Sequence, residues 1–136
     1  MKKRSCTVIV GAGRLGGTLA GRLSQRGHDV VIVDRAEAAL EALPAEFSGI
    51  RVHGNATEMQ TLRRARLDEA VRVLAVTDRD DLNLFVALAA RHVFNVPHVR
   101  VRVSDGVRQA LFEGLEVSTV NPNALAADVF ADEVES

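Results

Sequence analysis

Gly11, Gly13 and Gly16 follow the apolar run Thr7-Val8-Ile9-Val10 in the spacing Gly-x-Gly-x-x-Gly, and Asp34 closes the next apolar run 18 residues beyond Gly16. Each of these residue types serves the capture of a nucleotide. A glycine at 11 permits a tight strand-to-helix turn, one at 13 lets the backbone approach a diphosphate, and one at 16 lets the helix pack close to the strand. The helix starting there presents free amide hydrogens and the positive end of its macrodipole to an anion. Asp34 can accept hydrogen bonds from both hydroxyls of an unphosphorylated ribose. Its charge disfavours a 2′-phosphate, an exclusion that the neighbouring Arg35 moderates. The bland alternative is a plain glycine loop and an ordinary turn aspartate; the order strand, loop, helix, strand, acid favours the pocket.

Such a pocket needs strands that end together. Apolar, β-rich runs recur at Cys6–Val10, Val30–Val33, Ile50–His53, Val71–Val76, Val99–Val103 and, more weakly, Val117–Val120. Helical patterns lie between them, at Leu15–Arg26, Ala36–Leu43, Glu58–Arg66, Asp80–Asn95 and Val107–Glu113. Alternation requires crossover connections and a parallel sheet, and the nearly continuous Val, Ile and Leu of runs one, two and four suit strands covered on both faces. The expectation is an α/β fold: a three-layer, doubly wound parallel sheet of the Rossmann type, with six strands in the order 3-2-1-4-5-6. Its ligand belongs at the carboxyl ends of strands one and four, where the order reverses. Thr57-Glu58-Met59-Gln60 reads as a capping box, with Thr57 as N-cap and Gln60 reaching back. Asp78 and Asp80 read either as pocket residues or as caps of the fourth helix. Asn95-Val96-Pro97 closes that helix.

Residues 1–121 are expected to form the nucleotide-binding domain, and residues 122–136 a terminal helix. In the latter, Leu125, Ala126, Val129 and Phe130 recur on one side, with Asp128, Asp132 and Glu133 read as opposite. Packing on its own domain and docking on another subunit suit that spacing equally.

Composition narrows the function classes. A chain of 136 residues with 47% hydrophobic content fits one domain with a real core. With 17 basic and 18 acidic residues and a net charge of -1, neither nucleic acid nor an anionic membrane surface is indicated as a partner. No apolar run is long enough for direct membrane insertion, and Met1-Lys2-Lys3-Arg4 leads into a strand-like run instead of a signal-peptide core, so a cytoplasmic location is expected. The histidines at 28, 53, 92 and 98 lack a metal-ligand spacing, and Cys6 reads as a buried structural thiol.

Gly11-Ala12-Gly13-Arg14-Leu15-Gly16, Asp34, His53-Gly54-Asn55-Ala56-Thr57, Thr77-Asp78 with Asn83, Arg100-Val101-Arg102-Val103, and Gly114 through Asn121-Pro122 stand in order at successive strand ends. In that order the chain resembles the RCK or KTN family, the TrkA N-terminal domain of potassium-uptake regulators, over essentially its whole length. The resemblance implies an adenine nucleotide, NAD(H) or ATP/ADP and sometimes AMP. It also implies a homodimer or higher ring, coupled to a membrane-embedded potassium channel or transporter subunit that holds it at the inner face of the membrane. Enzyme activity is not expected.

The resemblance gives Arg14 a phosphate role, the alternative being a solvated helix arginine. Asn55 departs from the aspartate common in the family; it can donate as well as accept along an adenine edge, or serve only the turn. Leu15 and Ala56 are expected to line the pocket, and Thr77 the phosphate or sugar region. Arg102, at the carboxyl end of an alternating basic strand, is aimed at phosphate, with Arg100 facing solvent or ion-paired. Asn123 stands where family members often carry glutamate, which puts a family intersubunit cation site in doubt. Two other classes remain: the cofactor half of an NAD-dependent oxidoreductase, which here lacks an evident acid–base pair, and a ligand-free oligomerisation module using Leu84, Phe85, Leu88 and the terminal helix.

Overall fold

The computed structural model describes residues 5–136, so Met1-Lys2-Lys3-Arg4 lie outside the described residues. Six strands, β1 (Cys6–Val10), β2 (Val30–Asp34), β3 (Ile50–His53), β4 (Ala70–Ala75), β5 (His98–Arg102) and β6 (Ser118–Val120), form one sheet in the order β3-β2-β1-β4-β5-β6. Every neighbouring pair is parallel. The helices are α1 (Arg14–Gln25), α2 (Glu37–Glu41), α3 (Met59–Arg64), α4 (Asp80–His92), α5 (Gly106–Gly114) and α6 (Pro122–Glu135). The doubly wound Rossmann architecture and its strand order are those the sequence predicts.

Strand alternation divides the core into two layers. Val8 and Val10 of β1 join Val31, Val33, Val73 and Val101 in the layer that also takes in residues of α3, α4 and α5. Ile9 and Ile32 face the other way, with Ala20 of α1, Leu40 of α2, and Leu43 and Phe47 from the loop after α2. Burying one such aliphatic side chain contributes about 1.5–3 kcal/mol, so these two layers supply the main drive for folding.

Several boundaries differ from the sequence reading, each for a local reason. No side-chain cap starts α3: Glu58 is its N-cap, and Thr57 instead donates both its backbone N–H (3.0 Å) and its hydroxyl (2.8 Å) to Asn55 Oδ1. The capping box expected from Thr57 and Gln60 is therefore replaced by an Asx turn one step earlier in the chain. Nor is α4 capped by Asp78 or Asp80; its N-cap is Arg79, without a side-chain cap bond. At its other end α4 stops at His92, because Phe94 N–H bonds to the Ala89 carbonyl and Val96 N–H to the Ala90 carbonyl around a left-handed Asn95 (φ 53). Asn121 caps α6, accepting from Ala124 N–H at 3.1 Å. No residue of α6 is buried, and Leu125, Val129, Phe130 and Val134 stand open. Glu133 is four residues after Val129 and three after Phe130, so helix geometry sets it on the apolar stripe and not opposite it.

Candidate nucleotide site

The site begins where β1 turns into α1. Gly11 adopts φ +111, and a Cβ there would come within 2.9 Å of Thr77 N, so the first glycine answers both to backbone conformation and to the approach of the β4 end. At Gly16 the constraint is space alone: a Cβ would stand 1.7 Å from the Gly11 carbonyl oxygen. Nothing lies within 4 Å of a Cβ built on Gly13, the N-cap of α1. The first helical bond runs from Gly17 N–H to the Gly13 carbonyl, which leaves the N–H groups of Arg14, Leu15 and Gly16 pointing out of the helix without helical partners. No acidic side chain occupies that first turn. An anion is the natural complement of this end.

Across the turn, Asp34 ends β2. Its Oδ2 accepts from Ala12 N–H and its Oδ1 from Ala36 N–H, both at 2.7 Å, so the carboxylate ties the glycine loop to the start of α2 while its outer lone pairs stay available. Asn55 spends Oδ1 on Thr57, which turns its amide N–H groups away from that turn. A donor at this position matches a ring nitrogen of adenine, whereas the aspartate common in the family would accept from the amino group.

The crevice at the switch point measures about 200 Å3 and is lined by Gly11, Asp34, Arg35, Asn55, Ala56, Thr77 and Asp78, all expected from sequence, together with Gly54, Arg79 and Leu82. Its volume of about 200 Å3 lies below the ~300–1,000 Å3 of clefts that enclose a whole ligand, which suits a nucleoside held in the crevice with its phosphates spread over the open start of α1. Gly13, Arg14 and Leu15 are exposed at the start of α1 and do not line the crevice; Leu15 lines a separate groove instead. Arg102 does not line the crevice either: its side chain borders that separate groove with Leu15, Leu74, Val76 and Val120. Alternation along β5 sets Arg100 and Arg102 on one side of the sheet, and that side opens into the groove and not into the crevice. A larger hollow of about 550 Å3 at the opposite end of the sheet, near Cys6, His28 and Asp29, lacks the helix N-terminus and converging strand ends that suit a phosphate ligand. There burial first, then Glu69, pushes the Cys6 thiol above its ordinary range.

Two buried polar residues fix the crevice wall, and their roles are non-local. Asn83 is fully buried; its Oδ1 accepts the Thr77 N–H (3.0 Å) and hydroxyl (2.6 Å), and its Nδ2 donates to the carbonyls of Thr77 (3.1 Å) and Arg102 (2.9 Å). Asp80 is 5% exposed and accepts from Ser104 N–H (3.1 Å), the Ser104 hydroxyl (2.6 Å) and Arg108 Nη1 (3.3 Å). Burial pushes its pKa up, but the Ser104 bonds and Arg108 outweigh that and hold the carboxyl below the ordinary range. The start of α4 is thus clamped to the ends of both β4 and β5. Of these two residues, Asn83 was among those carrying the resemblance, yet nothing local in sequence marks a partner 19 residues away.

A family model for the TrkA-N domain matches residues 7–122. The chain belongs to the TrkA-N family. This TrkA-N chain is 37% identical over 121 residues to the Trk system potassium uptake protein TrkA of Streptomyces coelicolor, a match covering 89% of this chain and 54% of that protein. It spans about half the length of the curated relatives it matches. Among solved structures, the GsuK channel bound to NAD superposes with a TM-score of 0.82 at 25% identity, over 98% of this chain and 24% of that one. GsuK bound to ADP superposes with a TM-score of 0.80 at 25% identity, over 96% and 34%. Among the described residues no helix is long and apolar enough to cross a membrane.

Proposed function

We propose that this TrkA-N chain is the nucleotide-sensing regulatory domain of a potassium uptake system. In this reading an adenine nucleotide, NAD(H) or ATP/ADP with AMP as a further candidate, occupies the crevice, and its occupancy biases the arrangement of a homo-oligomer coupled to a membrane-embedded channel or transporter. The observation that carries the reading is the pairing of unpartnered α1 amides with Asp34 across the β1–β4 switch point, in a chain whose relatives are Trk potassium uptake proteins and NAD- or ADP-bound channel domains.

The roles follow from chemistry. Asp34 receives the ribose hydroxyls, the amides of Arg14 to Gly16 and the Arg14 guanidinium receive phosphate, and Asn55 reads the base. Gly11, Ala56 and Thr77 shape the walls, while Asp78, Arg35 and Arg79 set the charge at the mouth. Among the described residues no histidine or cysteine lines the crevice, and the reading of a receptor in preference to a catalyst is supported by that lining. A bound nucleotide then acts only through its preference for one assembly geometry over another.

The test is a titration of the chain with NADH, NAD, ATP, ADP and AMP, followed by thermal unfolding. At least one should raise Tm; Asp34→Ala should weaken every ribose-bearing ligand, and Arg14→Ala should weaken them in order of phosphate charge. Absence of stabilisation by all five overturns the reading.

A further inference from the structure

Asn55 stands just past the end of β3 and lines the crevice. A backbone N–H can only donate, so the Asn55 atom that meets Thr57 N–H at 3.0 Å must be the oxygen, and the Thr57 hydroxyl adds a second bond to the same Oδ1 at 2.8 Å. Those two bonds fix which way the amide is turned. Nδ2 is left on the other side of a half-buried residue, without a hydrogen bond among the described residues.

The rest of the lining leaves the polar edge of a base to this group. Ala56 is buried and Leu82 half-buried, and both present apolar surface that packs against any purine alike. The Thr77 hydroxyl is engaged with Asn83 Oδ1 and the Arg79 carbonyl, and the Arg79 guanidinium is paired with Asp81. Arg35 and Asp78 are exposed at the mouth.

Purines differ most at position 6, an amino donor in adenine and a carbonyl acceptor in hypoxanthine and guanine. A carboxylate at residue 55 would keep one oxygen on Thr57 and set the other toward the base, where it pairs with the amino group and repels the carbonyl. The amide reverses that preference. Nδ2 pairs with a 6-oxo group, and it meets adenine only through a ring nitrogen, with the amino group turned aside.

We propose that Asn55 opens this crevice to 6-oxopurine nucleotides, the inosine and guanosine class, which it takes at least as well as adenine nucleotides. The inference rests on the nucleotide reading proposed above and widens the class of ligand the same site can report. Ribose and phosphate are common to both classes, so Asp34 and the α1 amides contribute equally and the base alone decides between them.

Isothermal titration calorimetry of the full 136-residue chain with two matched pairs tests it: ADP against IDP, and NAD against nicotinamide hypoxanthine dinucleotide. Members of a pair carry the same phosphates, so charge repulsion from a substituted residue cancels in their ratio. In the wild type the hypoxanthine member should bind within about threefold of its adenine partner, or more tightly. Asn55→Asp, which keeps an acceptor for Thr57, should swing the ratio toward adenine by about tenfold, because it sets one acceptor against another. Far-UV circular dichroism and the ligand-free Tm check that this variant folds, and the wild-type ratio stands by itself should it unfold. Adenine members that bind the wild type more than about threefold tighter, or a swing below about threefold in a folded Asn55→Asp, overturn the inference and leave the nucleotide reading intact. A chain that binds none of the four overturns it as well, and the five-nucleotide melting series then decides whether the nucleotide reading falls with it.

Discussion

Ile9 of β1 and Leu74 of β4 are register neighbours on one face of one sheet, yet the first is wholly buried under α1 and the second is only half-covered. The sheet itself is continuous across this line; the roof stops. Where helices of the chain cover the sheet, Val30, Ile9 and Ile32 are buried and the one arginine on that face, Arg51, is engaged by the Leu40 carbonyl and the Phe47 ring; where they do not, Leu74 and Val76 stand half-covered beside Arg72 and Arg100. A strand composed in this way is neither a folding core nor an ordinary solvated face. The difference separates what holds the domain together from what the domain offers to another surface.

Substitutions can break that contrast, beginning with the largest effect. Ile32→Ala, under the roof, should cost about 2–5 kcal/mol in urea unfolding, the range for a buried aliphatic whose cavity cannot fully collapse. Asn83→Ala should cost about 1–3 kcal/mol for each buried group left unpaired at Thr77 and Arg102, and it should also weaken NADH binding by loosening the Thr77 wall. Asp80 contributes through pH. Its folded pKa lies below the unfolded value of about 4, so its stabilisation is present above that value and is lost as pH falls through the folded pKa. Asp80→Asn should therefore flatten the acid limb of a stability–pH curve, and an unchanged limb would show that the Ser104–Arg108 clamp contributes nothing. Leu74→Ala, on the open half, should cost about 1 kcal/mol or less in urea unfolding, in keeping with its partial burial. A cost for Leu74→Ala as large as that for Ile32→Ala would erase the distinction between the two halves.

Legibility in the sequence followed the range of the interactions. The strands could be read because Val30–Val33 and Cys6–Val10 are runs of β-formers, and the turn because the positive φ of Gly11 and the contact of Gly16 with the Gly11 carbonyl lie within the motif itself. Of the seven expected residues that line the crevice, Gly11, Asp34 and Arg35 followed from the glycine motif and its acid, Thr77 and Asp78 from the end of the fourth strand, and Asn55 and Ala56 from the resemblance. The start of α3 was misread because Asn55 competes for Thr57, a choice between two local bonds that sequence does not rank. Asp80 resembled a cap because its actual partner, Ser104, lies 24 residues on. Arg102 lines the groove it shares with Leu15 and not the crevice, because alternation gives a face of the sheet and is silent on which helix roofs it. For α6, the stripe was visible but its cover was not, since nothing in the helix says which molecule supplies it.

Asp34 has a consequence for how such a domain can change its ligand. The carboxylate suited to two ribose hydroxyls is also the strut between Ala12 in the glycine loop and Ala36 at the start of α2. A lineage drifting toward a 2′-phosphorylated cofactor would have to discard the charge and rebuild the brace in the same step, because the neutral side chains that welcome a phosphate span the gap less well. Ligand choice here is therefore guarded by architecture as well as by affinity, and a redesign that replaces residue 34 alone should lose loop order before it gains a new specificity.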